Sequence, residues 1–138
     1  MDYSAEQRYK AALIEEAFEI HNIVLPDPIE VYSNYKTTHY RNKVEFSWYG
    51  DEIEGKPTLD LAFFRRGSKG KIPLDTCSLL PESMMNLARQ IRDVLHLQKV
   101  HATQLKTLLI RCDQEGKCVW QLYVKDEKFN YITPEEAD

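Results

Sequence analysis

The sequence predicts an α+β fold, an antiparallel β-sheet of about 5–6 strands arranged in hairpins with two amphipathic helices packed on one face. Three observations carry this expectation. Several short stretches alternate apolar and polar residues with period 2, two longer ones repeat apolar residues at helical spacing, and the gaps between strands are of hairpin length and rich in turn formers.

The first helix is expected from Ser4, read as its N-cap, with Glu6 and Gln7 in the first turn and Tyr9, Leu13, Ile14, Ala17 and Phe18 as its apolar stripe. It should end near His21-Asn22. Leu25-Pro26-Asp27-Pro28 cannot continue it, because each proline lacks an amide donor and restricts the residue before it. Ile29 to Ser33 then reads as a short edge strand. After a polar loop, Tyr40 to Trp48 is the central strand: Val44, Phe46 and Trp48 point to a core, while Arg41, Lys43 and Glu45 form a polar row on the other face. Gly50-Asp51-Glu52 and Glu54-Gly55-Lys56-Pro57 are turn chemistry, and the run Leu59, Leu61, Phe63 should pair back on the central strand. A tighter turn at Gly67-Ser68-Lys69-Gly70 leads into Lys71-Ile72-Pro73-Leu74, crowding Arg65, Arg66, Lys69 and Lys71 at one tip.

Pro81 marks the first turn of a second helix whose stripe is Met84, Leu87, Ala88, Ile91 and Leu95. The stretch from His96 to Thr103 is ambiguous between a frayed helix end and a loop. Leu105 to Cys112 and Cys118 to Lys125, joined by Asp113-Gln114-Glu115-Gly116, read as a second hairpin. Residues 1–128 thus form a single expected domain, and the acidic, proline-interrupted residues 129–138 a linker or tail.

A chain of 138 residues can build a core without disulfides or metals, and 43% hydrophobic with 29% charged residues is ordinary for a soluble protein. No apolar run reaches the roughly 18 residues of a membrane span, and the polar start is unlike a signal peptide, so a cytoplasmic location with no membrane partner is expected. Cys77, Cys112 and Cys118 are odd in number and are read as free thiols of a reducing compartment. Cys112 and Cys118 flank the hairpin turn at positions that can face each other across the strands, but a disulfide is not expected in such a compartment. His21, His39, His96 and His101 show no ligand spacing, so no metal site is expected. The net charge of −4 argues against a general nucleic-acid binder, yet it conceals a pattern. Residues 1–35 carry seven acids against two bases and 126–138 five against one, whereas 36–71 carry eight Lys or Arg against five acids. A local excess of positive charge can attract phosphates even in an acidic protein.

The stretch Tyr40-Arg41-Asn42-Lys43, the hairpin Phe64-Arg65-Arg66-Gly67-Ser68 and the turn Asp75-Thr76-Cys77, in that order and spacing, resemble the central RNA-contacting domain of the RNA uracil-5-methyltransferases, which make 5-methyluridine in tRNA and 23S ribosomal RNA. Asp2-Tyr3 with Gln7 and Lys10 is similar to the start of the preceding helix in that family, so the likeness runs over roughly residues 2 to 125. The resemblance implies an RNA-recognition domain that positions a folded RNA, a tRNA or 23S rRNA stem-loop, for C5 methylation of a uridine. It implies Arg41, Lys43, Glu45, Arg65, Arg66, Lys69 and Lys71 as RNA-binding residues, with Glu45 facing the target nucleotide. The structural alternative for Glu45 is an ion pair with Lys43 or Arg65, and for the hairpin charges plain solubilising residues.

The family's chemistry needs S-adenosylmethionine, a glycine-rich cofactor loop, an Asp-Pro-Pro segment and a cysteine nucleophile. This chain has no such loop or segment and five glycines in all, so it is expected to hold no catalytic residue or cofactor and to be inert by itself. The catalytic domain, with its S-adenosylmethionine, would lie elsewhere in the same full-length polypeptide. The resemblance also aligns Cys77 with a cysteine that in some members is the fourth ligand of an iron–sulfur cluster. One thiolate cannot hold a cluster, so Cys77 is a ligand only if three further cysteines precede this chain, and otherwise a small buried residue. An iron–sulfur cluster is not expected. Two other readings stay open: a stand-alone α+β protein-binding or adaptor module without activity, and a small enzyme using Glu45 with a histidine as acid and base.

Overall fold

The computed structural model describes residues 2–133 and 135. The chain divides into two compact units, residues 1–37 and 38–138.

The first unit is built on α1 (Tyr3–Ile20). The residue preceding the helix is Asp2, not Ser4, whose hydroxyl instead donates to the Asp2 carboxylate. Its end is set by backbone geometry: Asn22 adopts a left-handed φ of 54°, its N–H donates to Glu19 O (2.9 Å), and the Ile23 N–H reaches back to Phe18 O (2.9 Å). This is a Schellman closure, in which asparagine tolerates the conformation usually given to glycine. The return segment is pinned by the Ile29 N–H to Glu15 Oε1 (3.2 Å), by the Tyr3–Ser33 hydroxyl pair and by Tyr35 edge-on to Tyr3 at 6.0 Å. The edge strand expected over Ile29 to Ser33 does not form. Just beyond it, Ser33 Oγ and Asn34 Oδ1 accept the Tyr35 and Lys36 amides (3.0 Å both), a local side-chain turn after the extended segment. None of the α1 side chains is buried, and Tyr9 and Leu13 are each 65% exposed. The first of the two expected helices is thus present.

The second unit contains the sheet. Its strands are β1 (Lys43–Tyr49), β2 (Glu52–Ile53), β3 (Lys56–Pro57), β4 (Asp60–Phe64), β5 (Lys71–Pro73), β6 (Leu105–Cys112) and β7 (Cys118–Val124), with α2 (Glu82–Leu97) between β5 and β6. The five-stranded sheet has the order β5-β4-β1-β6-β7 with antiparallel neighbours, and β2 and β3 form a small two-stranded extension of the β1–β4 hairpin. The α+β class is therefore the observed one. β1 lies at the centre because its inward residues find partners on both sides: Trp48 opposite Leu61, and Val44 and Phe46 opposite Ile110 and Leu108. Phe46 also stacks on Phe63, ring centroids 5.3 Å apart.

On this face lies α2, burying Met84, Met85, Ala88, Ile91 and Leu95, while Leu87 of the expected stripe is only half-buried. Pro81 stands one position before the helix and accepts the Met84 and Met85 amides. The ambiguous stretch after His96 resolves into a second Schellman closure, with Lys99 at φ 59°, its N–H on His96 O and the Val100 N–H on Leu95 O (3.0 Å both). Val100 and Leu95 are both buried there, the hydrophobic contact that seals such an end. Phe129, Tyr131 and Ile132, from the stretch read as tail, pack against the core edge. Pro134 and residues 136–138 of that stretch lie outside the described residues.

Cys112 and Cys118 are joined by a disulfide, correcting the reading of three free thiols; Cys77 alone is free, and it is half-buried against the core. The Cys112 amide is directed to Asn42 O (3.0 Å) and Asp113 N to Lys117 O (2.9 Å), so Cys112 and Cys118 occupy a non-hydrogen-bonded pair, where Cα atoms approach closest, here 4.0 Å. Reducing this bond is expected to lower the unit's stability by about 2 kcal/mol, the chain-entropy value for so short a loop. Urea unfolding with and without reductant, monitored by tryptophan fluorescence, checks it.

Candidate nucleic-acid interface

Because β1 runs antiparallel to both β4 and β6, the start of β1, the end of β4 and the end of β6 share one end of the sheet. The β4–β5 turn (residues 65–70) and the β6–β7 turn (113–117) close at that same end. The topology therefore gathers Arg41, Lys43, Arg65, Arg66, Lys69 and Lys71, scattered over thirty-one positions of sequence, at one edge of the fold.

They are not equally available. Strand β1 begins only at Lys43, so Arg41 lies ahead of it rather than on its face; its amide donates to Leu79 O (3.1 Å), beside the His39 N–H to Ser78 O (2.9 Å). The polar row of β1 is reduced to Lys43 and Glu45, which form an exposed ion pair at 2.6 Å. Of the two partners weighed for Glu45, Lys43 is thus the one it has. Lys71 is not a free tip charge either. Its ammonium donates to the Trp48 carbonyl (2.8 Å) and sits 5.6 Å from the centre of the Phe64 ring. Arg41, Arg65, Arg66 and Lys69 are exposed and have no ion-pair partner among the described residues. The turn that carries three of them is rigidly built: the Arg65 N–H donates to Gly70 O (2.7 Å), the Ser68 N–H to Arg65 O (3.2 Å) and the Gly70 N–H to Ser68 Oγ (3.2 Å). Gly67 takes φ 76° there, which a residue with a Cβ adopts only at a cost of about 1–2 kcal/mol.

Two further cations join them that the sequence pattern did not single out. Arg111 is the direct cross-strand neighbour of Lys43 on the open face, and Lys117 borders the same groove, paired there with Glu115 at 3.3 Å. Arg111 stood among alternating residues of β6, but which β1 residue it faces depends on a register between strands separated by α2. Asp113, also in this groove, is occupied in shaping the turn, its Oδ1 accepting the amides of Glu115 and Lys117 (2.9 Å each). Gly116 of this turn lies against Ser83, so the first turn of α2, the positive end of its dipole, faces the same edge.

Other arginines are structural. Arg92 binds Asp75 (2.7 Å) and Asp93 (2.9 Å), and Arg89 binds Glu82 (2.6 Å) and the Asp75 carbonyl (2.9 Å), which ties the loop before α2 to the helix. Burial works against the charge on Arg92, yet its hydrogen bonds to the two aspartates outweigh it and raise the guanidinium above its ordinary value. Asp75 thus acts as an anchor for this loop.

The passage from β5 to α2 contains no glycine between Lys71 and Glu82, so it is not a glycine-rich turn that could bring backbone amides onto a ligand's anionic group. The described residues contain no group of three or more His, Cys, Asp or Glu able to hold a metal ion. Chemically, this edge can offer monodentate and bidentate donors to phosphate oxygens and an open sheet face beside them. No helix among the described residues is long and apolar enough to cross a membrane.

No family model matches the chain. Over 131 aligned residues it is 30% identical to an uncharacterized RNA methyltransferase of Chlorobaculum tepidum, an alignment that takes in 80% of this chain and 27% of that protein. The chain is thus related to an RNA methyltransferase along most of its own length, while spanning little more than a quarter of it.

Proposed function

We propose that this chain is the RNA-recognition domain of an S-adenosylmethionine-dependent RNA (uracil-5-)-methyltransferase. It holds a folded RNA, a tRNA or 23S rRNA stem-loop, while a catalytic domain of the same polypeptide methylates a uridine at C5. The observation that carries the reading is the convergence of unpaired Arg65, Arg66 and Lys69 with Lys43 and Arg111 at one end of an otherwise acidic protein. The similarity to an RNA methyltransferase supports it.

Methylating C5 of a uracil requires the base to leave its stack, and the cost of that extrusion is met by contacts to the flanking backbone. The β4–β5 turn supplies such contacts as charge-assisted donors on a rigid support. Glu45 stands on the open face next to them, its carboxylate held by Lys43, where it would meet the target nucleotide. S-adenosylmethionine, bound by the catalytic domain, supplies the methyl group.

Fluorescence anisotropy with a uridine-bearing stem-loop tests the proposal. Binding should weaken with added salt along a log–log slope of about −2 to −4, from roughly three to five neutralised phosphates. Absence of binding at low salt, or binding indifferent to salt, would overturn it.

A further inference from the structure

Phe64 is the residue of this edge that neither the core nor the charge pattern accounts for. It falls on the opposite parity to Leu61 and Phe63, so its ring leaves the sheet on the face away from α2, the face of Lys43 and Glu45. There it is 62% exposed, while Ala62 and Ser47, on the same face, are small and buried. Lys71, its cross-strand partner, places its ammonium over the ring, and that ammonium is fixed in turn by the Trp48 carbonyl. The ring is therefore held in place by a cation yet remains largely open. The next two residues along the chain are the unpaired Arg65 and Arg66.

An aromatic ring exposed beside unpaired guanidinium groups suits one class of ligand better than others. An apolar protein surface laid on the ring would bury Arg65, Arg66 and the Lys71 ammonium without partners, which is costly. A nucleotide satisfies both at once, its base stacking on the ring and its phosphates meeting the arginines. We propose that Phe64 is a base-stacking residue, receiving an unpaired nucleobase of the bound RNA on its open ring. The inference rests on the RNA-binding reading above and adds to it a requirement for an unpaired base.

The test compares two RNA probes, a stem-loop with an unpaired uridine-rich loop and a fully paired hairpin-free duplex of equal length, bound by the 138-residue chain and its variants. Phe64→Leu keeps an apolar side chain but no π-face, and Phe64→Trp keeps the π-face. Phe64→Leu should bind the loop RNA about 5- to 100-fold more weakly than the parent while binding the duplex equally well. Phe64→Trp should stay within about threefold of the parent or bind more tightly, with its added indole fluorescence quenched by the loop RNA. Equal affinity of Phe64→Leu and the parent for the loop RNA would overturn the stacking role and leave this face to a protein partner, with the RNA reading intact. Failure of the parent to bind either RNA would overturn both.

Discussion

Replacing Arg65 and Arg66 together by alanine is expected to weaken stem-loop binding by on the order of 10- to 100-fold at about 0.1 M salt. Both side chains are exposed, project from a turn closed by its own backbone bonds and have no ion-pair partner among the described residues, so their removal costs the fold little. Each lost phosphate contact should also flatten the log–log salt dependence by about 0.7 to 0.9, so the double variant loses roughly 1.4 to 1.8 of slope. The matching change at Arg89 and Arg92 should behave oppositely. Those guanidinium groups are committed to Glu82, Asp75 and Asp93, and their loss should loosen the loop before α2 while leaving the salt slope where it was. Binding series across several salt concentrations separate the two outcomes, because only a phosphate contact changes the slope.

The largest expected effect on stability is at Phe46. Its side chain is fully buried in the middle of the central strand, stacked on Phe63 and opposite Leu108. Phe46→Ala removes a ring that α2 and both neighbouring strands close over, and should cost about 3–5 kcal/mol. Against a total of roughly 5–15 kcal/mol for a domain of this kind, that is enough to populate the unfolded state at modest urea. Val119→Ala, on the exposed side of β7, should change stability by less than about 0.5 kcal/mol. Urea midpoints of the two variants, with slopes matching the parent, give the comparison; a loss at Phe46 below about 1.5 kcal/mol would mean that α2 does not cover this face.

Much of this architecture was legible in the residues because it depends on local periodicity. Val44, Phe46 and Trp48 alternate with polar neighbours and do face the core, and the Met84, Ala88, Ile91, Leu95 stripe does face the sheet. The turn at Gly67 to Gly70 is where it was expected, since glycine at φ 76° is what such a turn requires. What the pattern could not supply was pairing at a distance. The apolar residues of α1 are much less confined to one side than those of α2, and none of the α1 residues is buried, so the helix was legible in the sequence but a buried face was not. The Ile29 to Ser33 segment is extended without being a strand, since no described strand pairs with it. Ser47 has the parity of an exposed residue but is buried beside Ala62. The neighbourhood of Lys43 and Arg111, and the closeness of Cys112 and Cys118, both follow from registers fixed by the assembled sheet.

The candidate site shows the same division. Charge counting found the basic segment, and antiparallel topology turned it into a single edge; neither counting nor spacing could show that Lys71 serves the Trp48 carbonyl or that Lys43 serves Glu45. The edge that results carries Lys43 and Lys71 with partners of their own, and gains Arg111 from across the strands.

Amide chemical-shift mapping of the labelled chain during titration with a uridine-bearing stem-loop tests the central claim most directly. The account predicts that the perturbed amides cluster at Lys43 to Ser47, Phe64 to Lys71 and Arg111 to Cys118, the two turns and the strand start that share one end of the sheet. Shifts confined to the exposed side of α2, or spread evenly over the surface, would contradict it.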